Sequence, residues 1–392
     1  MEISKITLEI FSKLEQQWLM SQSETNHKKT RVLSIDGGTG TNTTSAIPSG
    51  AALIHLEHQI QLKTGNPNAR IIDFFDIVAG TGIGGLLALL INLSDGSSTN
   101  RPLYTAKQAV KLITDRQNKL YKVKNLYNRV FRQKTRLCSK SMDNALKQAL
   151  TRNTDNKVLT LSDTCKPCIV PCFDLHTSAP FVFSRADACE SKSYDFELWK
   201  VIRATSCDPS LMKPFKLSSI DGKTSCLAID GGLVMNNPSA AVVTHVLHNK
   251  RDFPLVNGVE DLLVLSLGNG DGSGLQKVNG SGYCKSEYVV GVVRDGVSET
   301  VDQMLGNTFC WSHMDYVRIQ ANGYGKVGES MESVLNERGV ESLPFGGKRL
   351  LTETNGQRID GFVNRLVAAA SGSSLPPSPC KNSAVNQLVN GR

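Results

Sequence analysis

Apolar residues along this chain of 392 residues come in two textures. Some form short, fully apolar runs rich in Val, Ile and Leu, and others return every third or fourth position. The first texture marks strands buried on both faces, and the second marks helices that press one stripe inward. Residues 3–19 carry Ile3, Ile6, Ile10, Leu14 and Trp18 on one such stripe, which predicts an amphipathic helix, and the polar stretch 21–30 reads as a linker. Arg31–Ile35 predicts a strand that stops at Asp36-Gly37-Gly38-Thr39-Gly40, and after a loop rich in Thr and Asn, Ala51–Gln61 is helical. The unit repeats, with Ile71–Ala79 as a buried strand, Gly80–Gly85 as a turn and a helix from Leu86. Thr105 and Gln108 form a capping box ahead of a further helix. Strands at Cys168–Leu175, Phe181–Phe183, Ser225–Ile229 and Leu262–Leu267 alternate with helical runs such as Ser239–His248. This alternation predicts an α/β fold with a mostly parallel central sheet covered on both faces. The organisation expected is a helix and linker at 1–29, one large domain at 30–369 and a disordered tail at 370–392, where Ser and Pro accumulate.

Composition narrows the class. With 40% hydrophobic and 20% charged residues, most of the chain should fold around a core. The longest apolar run, Gly82–Leu93, is too short and too glycine-rich for the roughly 18 to 20 residues of a membrane span. The N-terminus lacks the pattern of a secretory signal, which predicts a reducing, cytoplasmic compartment and ten cysteines present as buried thiols. Cys165, Cys168 and Cys172 lack a partner pair at zinc-ligand spacing, and the helical pairs His55/His58 and His245/His248 are read as surface or core residues, so no metal is expected. The net charge is +8, yet Arg116–Lys140 holds nine basic residues and no acid, so the rest of the chain carries about −1. Aromatic and aliphatic residues interleave this segment, which suits a solvated face or a patch meeting anionic lipid, with peripheral membrane contact as the consequence. No nucleic-acid recognition motif accompanies the charge.

Three glycine turns follow three of the expected strands, where open α/β sheets place ligands. Gly37, Gly38 and Thr39 can offer backbone N–H groups to an anion. Gly80-Thr81-Gly82-Ile83-Gly84-Gly85 fits the nucleophile elbow G-x-S-x-G in its flanking Gly80 and Gly84, but Gly82 stands at the serine position. The same turn also fits a G-x-G-x-x-G dinucleotide fingerprint, without the acid about twenty residues on that the fingerprint requires, and no cofactor is expected. Asp230, at a strand end before Gly231-Gly232 and ahead of a helix opened by Pro238, is a candidate general base.

Taken in order, Leu33–Gly38, Asp73–Thr81, Arg203–Ser206, Asp230-Gly-Gly with Asn236-Asn-Pro238, and Leu265–Gly268 resemble the patatin-like phospholipase family over about residues 30–320. The resemblance implies a three-layer α/β/α fold and lipid acyl hydrolysis by a Ser–Asp dyad. On that pattern Gly37, Gly38 and Thr39 match the oxyanion loop, Gly82 the nucleophile position and Asp230 the dyad base. The loop departs from the family's D-G-G-G-x-R-G at Thr39 and Thr41. Gly82 resembles a plant branch of the family whose elbow reads G-x-G-x-G. The expectation is a carboxylic ester hydrolase of phospholipase A type, acting on phospholipids or galactolipids and weakened by the missing serine. Its nucleophile would then be a water activated by Asp230, ahead of the hydroxyls of Thr81 and Ser34. The alternative is a degenerate protein that binds lipid or regulates on the same scaffold.

Overall fold

Strand β1 (Thr30–Ile35) lies inside an eight-stranded sheet, and each of its residues from Arg31 on is buried. The computed structural model describes residues 29–38, 47–123, 137–152, 155–269, 286–320, 331–343 and 347–371. In chain order the further strands are β2 (Ile77–Gly80), a small hairpin of β3 (Thr151–Arg152) and β4 (Lys157–Val158), then β5 (Cys168–Asp174) and β6 (Ala179–Ser184). They continue with β7 (Phe215–Ser218), β8 (Ser225–Ile229), β9 (Leu262–Leu267) and β10 (Tyr316–Ile319), and end in the hairpin of β11 (Arg338–Leu343) and β12 (Gly347–Thr354). The main sheet has the order β10-β9-β1-β2-β5-β8-β7, with β6 on β5. Its core pairs, β10 to β9 to β1 to β2 to β5, are parallel, while β6, β8 and β7 join antiparallel.

The longer helices are α1 (Ile47–Thr64), α2 (Gly82–Asn92), α3 (Ala106–Leu120), α4 (Ser139–Ala149), α5 (Leu198–Thr205), α6 (Ser239–His248), α7 (Ser286–Thr308) and α8 (Asn355–Ser371). Successive residues of β1 serve opposite faces, as the period of two requires. Leu33 and Ile35 pack with Leu53 and Leu56 of α1, Leu87 of α2 and Phe362 of α8, whereas Val32 packs with Val242 and Val246 of α6. The result is helix, sheet, helix. Each such fully buried Leu, Ile or Phe contributes about 1.5–3 kcal/mol. Among the described residues no helix is long and apolar enough to cross a membrane.

Several expectations are adjusted here. The run Ile71–Ala79 is not one strand. Ile71–Phe74 is a helical turn, because the Asp73 carboxylate accepts from the Arg70 N–H at 2.9 Å and closes it, and only Ile77–Gly80 enters the sheet. The helix after the elbow starts at Gly82, four residues before Leu86. The thiols of Cys168, Cys172, Cys207 and Cys226 are buried as expected, but Cys189 and Cys310 are exposed. The helix expected at 3–19, Thr39, the middle of the basic stretch (124–136) and the tail from 372 lie outside the described residues.

Candidate active site

Register brings the glycine turns together. Ile35 pairs with both Gly80 and Leu267, so the chain after β1 and the chain after β2 leave the sheet side by side. β5 runs on beyond β2, since Ala79 is opposite Ile169 and five residues of β5 remain. Antiparallel β8 starts at that far end, pairs Ile229 with Phe173, and so carries Asp230 back toward the elbow. The base therefore arrives from a strand running against its neighbours, which strand propensity alone does not disclose.

The elbow keeps its backbone and lacks its hydroxyl. Gly82 has φ +52°, the left-handed conformation in which a nucleophile is normally displayed and which glycine adopts without strain. A Cβ at this position would meet only the Gly37 Cα at 3.7 Å and the Gly38 N and Thr205 O at 4.0 Å, so the space for a side chain persists. The flanking glycines are needed for a different reason. A Cβ on Gly80 would lie 2.5 Å from the Gly84 carbonyl oxygen, and one on Gly84 would lie 2.5 Å from that of Ile35. Close packing of the turn against itself and β1 thus accounts for Gly80 and Gly84, the two flanking positions of the elbow. Neither substitute hydroxyl is placed to act. The Thr81 Oγ1 donates to the Met235 carbonyl at 2.6 Å, and Ser34, wholly buried in β1, is absent from the lining of the cavity at the elbow.

In the oxyanion loop, the Gly37 N–H donates to the Asn236 carbonyl at 2.9 Å, which removes it from anion binding. A Cβ on Gly37 would also collide with the Asn236 Oδ1. Among the described residues nothing accepts from the Gly38 N–H, whose nitrogen lies 4.0 Å from where a Cβ of residue 82 would stand. The loop is anchored by Asp36, whose carboxylate receives both ends of the Arg318 guanidinium at 2.7 and 2.5 Å. Burial pushes the Asp36 carboxyl above its ordinary pKa, and Arg318 pulls it back only in part.

Asp230 is 4% exposed and is not a free base. Its Oδ1 accepts from the Gly232 N–H at 2.9 Å. Its Oδ2 accepts from the Arg294 Nε at 2.9 Å and from Nη2 of the same guanidinium. That Nη2 also donates to the Asp208 Oδ2 at 2.9 Å. Burial works against the charge on Arg294, but the two carboxylates outweigh it and hold the guanidinium protonated more firmly than usual. Gly37, Gly38, Gly82 and Asp230 line one cavity with Arg294, Asp208, Tyr121 and a wall that includes Met142 and Met212. The cavity is about 40 Å³, room for a few waters at about 10–15 Å³ each. Burial pushes the Tyr121 phenol up to about 12, with Arg294 acting against it, so it is a neutral hydrogen-bonding group at physiological pH.

Asp208, Tyr121 and Arg294 are the site residues that the glycine motifs did not reveal. Arg294 left one sequence signal, a lone cation inside Val289-Val-Gly-Val-Val-Arg294. Of the histidine pairs, the His55 Nε2 meets the Asp360 Oδ1 at 2.8 Å and His245 packs edge-on to Phe253, its pKa lowered by burial. Among the described residues no cluster of His, Cys, Asp or Glu could hold a metal ion.

A mostly parallel sheet with a glycine elbow, a glycine loop after its first strand and an aspartate that opens a D-G-G turn is the architecture of a family of lipid acyl hydrolases. The family model described as patatin-like phospholipase matches residues 33–243. The chain belongs to the patatin-like phospholipase family. It is 61% identical over the full length of both chains to "Probable inactive patatin-like protein 9" of Arabidopsis thaliana. It is 41% identical to "Patatin-like protein 6" of the same plant, covering 86% of this chain and 71% of that one. It is 38% identical to "Patatin-like protein 7", covering 93% and 81% respectively.

Proposed function

We propose that this chain is a patatin-fold protein without acyl-enzyme chemistry, which binds glycerolipid or its acyl products and acts through that binding. One observation carries the reading. The elbow presents no hydroxyl, the Thr81 hydroxyl is bonded to the Met235 carbonyl, Ser34 is sealed in the sheet, and the Thr205 Oγ1 is engaged by the Gly82 N–H at 3.1 Å. Loss of the serine nucleophile from a hydrolase costs around 10⁶ in turnover, about 8 kcal/mol of transition-state stabilisation, and leaves roughly 10³ to 10⁴ over water from positioning and the oxyanion hole. Here the oxyanion hole is impaired as well, since the Gly37 N–H is already bonded. The name of the 61% identical relative supports the same reading.

A second reading has one observation in its favour. Gly82 and Asp230 line the same water-sized cavity, so a water activated by Asp230 could hydrolyse phospholipid or galactolipid esters slowly in a single step. The experiment is fatty-acid release from phosphatidylcholine and monogalactosyldiacylglycerol vesicles by the wild type and by Asp230→Ala. Under the first reading both match the heat-inactivated blank. Turnover above the blank that disappears in Asp230→Ala refutes it and establishes the second. The proposed lipid surface is anionic and is met through the basic stretch 116–140, where each residue close to the surface is worth about 1 kcal/mol. Co-sedimentation with phosphatidylserine vesicles should weaken in high salt. Binding indifferent to both salt and anionic lipid counts against that stretch.

A further inference from the structure

We infer that Arg294 is a second lock on the dyad, independent of the missing serine, so that restoring the hydroxyl at residue 82 alone does not restore hydrolysis. The inference deepens the first reading above and rests on it. Three observations support it. Both forward donors of the Arg294 guanidinium converge on the Asp230 Oδ2. The other oxygen of that carboxylate is held by the Gly232 N–H. Arg294, Asp230 and Asp208 are all at most 5% exposed, so bulk solvent has little access to these contacts.

The chemistry follows from what a dyad base must do. As a serine Oγ bonds to the ester carbonyl carbon, its proton passes to the aspartate, and it later passes to the departing alkoxide. With two Arg294 N–H groups on the Asp230 Oδ2 and the Gly232 N–H on its Oδ1, the carboxylate offers a serine Oγ–H no open acceptor position, and opening one means breaking a charge-assisted hydrogen bond. Asp208 strengthens the lock. It binds the same Nη2 and is itself fixed by the N–H and Oγ of Ser210 at 2.8 and 2.6 Å. Two carboxylates and one guanidinium form a closed set, and α7 delivers the cation from outside the matched family segment 33–243. Arg294 is thus a positioning residue that acts through Asp230, and the wild-type elbow, which has no proton to surrender, conceals its effect.

The test is a full-length series read by the rate of labelling with a fluorophosphonate probe and by p-nitrophenyl butyrate hydrolysis, with thermal unfolding recorded for each protein. Gly82→Ser alone should stay near the wild-type background. Gly82→Ser with Arg294→Gln should gain about 10²- to 10⁴-fold, the usual contribution of a general base. Removing Arg294 leaves Asp208 and Asp230 as buried like charges, so Gly82→Ser/Asp208→Asn/Arg294→Gln is the companion that keeps a single carboxylate. A gain in either folded variant supports the lock. Folded variants no faster than Gly82→Ser, or fast labelling of Gly82→Ser alone, overturn it. Should neither Arg294 variant fold, Gly82→Ser/Arg294→Lys takes their place, because lysine keeps the cation but cannot hold the Oδ2 through two donors: a gain over Gly82→Ser supports the lock, and no gain, or fast labelling of Gly82→Ser alone, refutes it. Failure of the parent reading shows instead in the wild type, as Asp230-dependent turnover.

Discussion

The ion pair beneath the oxyanion loop offers the sharpest stability experiment. Asp36 directly follows β1, ahead of Gly37, and is 2% exposed, and Arg318 on β10 is 4% exposed. Replacing Arg318 by Met removes both guanidinium contacts, leaving the Asp36 carboxylate with the Ser298 Oγ at 3.5 Å as its one remaining side-chain donor among the described residues. Breaking a buried pair from one side costs about 3–5 kcal/mol, because a charge is left without compensation, whereas replacing both partners by neutral groups is often nearly neutral. Arg318→Met should therefore lower the melting temperature by about 6 to 20 °C, at 2–4 °C per kcal/mol for a chain somewhat smaller than this one. Adding Asp36→Asn should recover most of that loss. The pH dependence has a definite sign. The folded Asp36 carboxyl lies above its unfolded value because of burial, and Arg318→Met removes the only strong opposing influence. Its stabilising contribution is then fully present below about pH 4 and is lost as pH rises through the raised folded value. The deficit of Arg318→Met should grow between pH 4 and pH 8, and Asp36→Asn in that background should flatten it. Circular-dichroism melts across this range measure both. A single variant no less stable than the double at pH 7, or a deficit independent of pH, refutes the account.

The elbow glycines should separate in melts of the same kind. Gly82→Ala has room and pays only for φ +52°, about 1–2 kcal/mol. Gly84→Ala drives a methyl into the carbonyls of Asp36 and Ile35 and should cost about 3 kcal/mol or more, an ordering that equal melting temperatures would contradict. Burial raises the Asp174 carboxyl, but the N–H groups of Leu227 and His176 and the Thr177 hydroxyl outweigh it and hold it below its ordinary value. This contribution exists above about pH 4 and disappears as pH falls through the lowered value. Asp174→Ala should therefore cost about 1–3 kcal/mol at pH 7 and progressively less toward pH 3, and a gap that widens on acidification would refute it.

How far local pattern reaches can be read from particular elements. Ser225–Ile229, Leu262–Leu267 and Ser239–His248 form where the sequence placed them: the first alternates buried and more exposed positions, the second is an apolar run buried at every position in the middle of the sheet, and the third repeats its buried positions at helical spacing. The run 71–79 did not, since a short, wholly apolar stretch satisfies a helical turn and a buried strand equally well, and the Asp73 cap decided between them. The absent nucleophile and the glycines crowding the elbow were legible in the primary sequence, because backbone conformation and side-chain chemistry belong to single positions.

Charge pairing belongs to no single position. Asp230 sits 64 residues from Arg294, and Asp36 sits 282 from Arg318. Nothing along the chain says which cation will meet which carboxylate until an antiparallel β8 turns Asp230 back to the elbow and α7 lays Arg294 beside it. A carboxylate that looks like a base in the sequence is a salt-bridge partner in the fold, because the cost of burying a charge, and hence the need for a partner, exists only once the surrounding elements have excluded water.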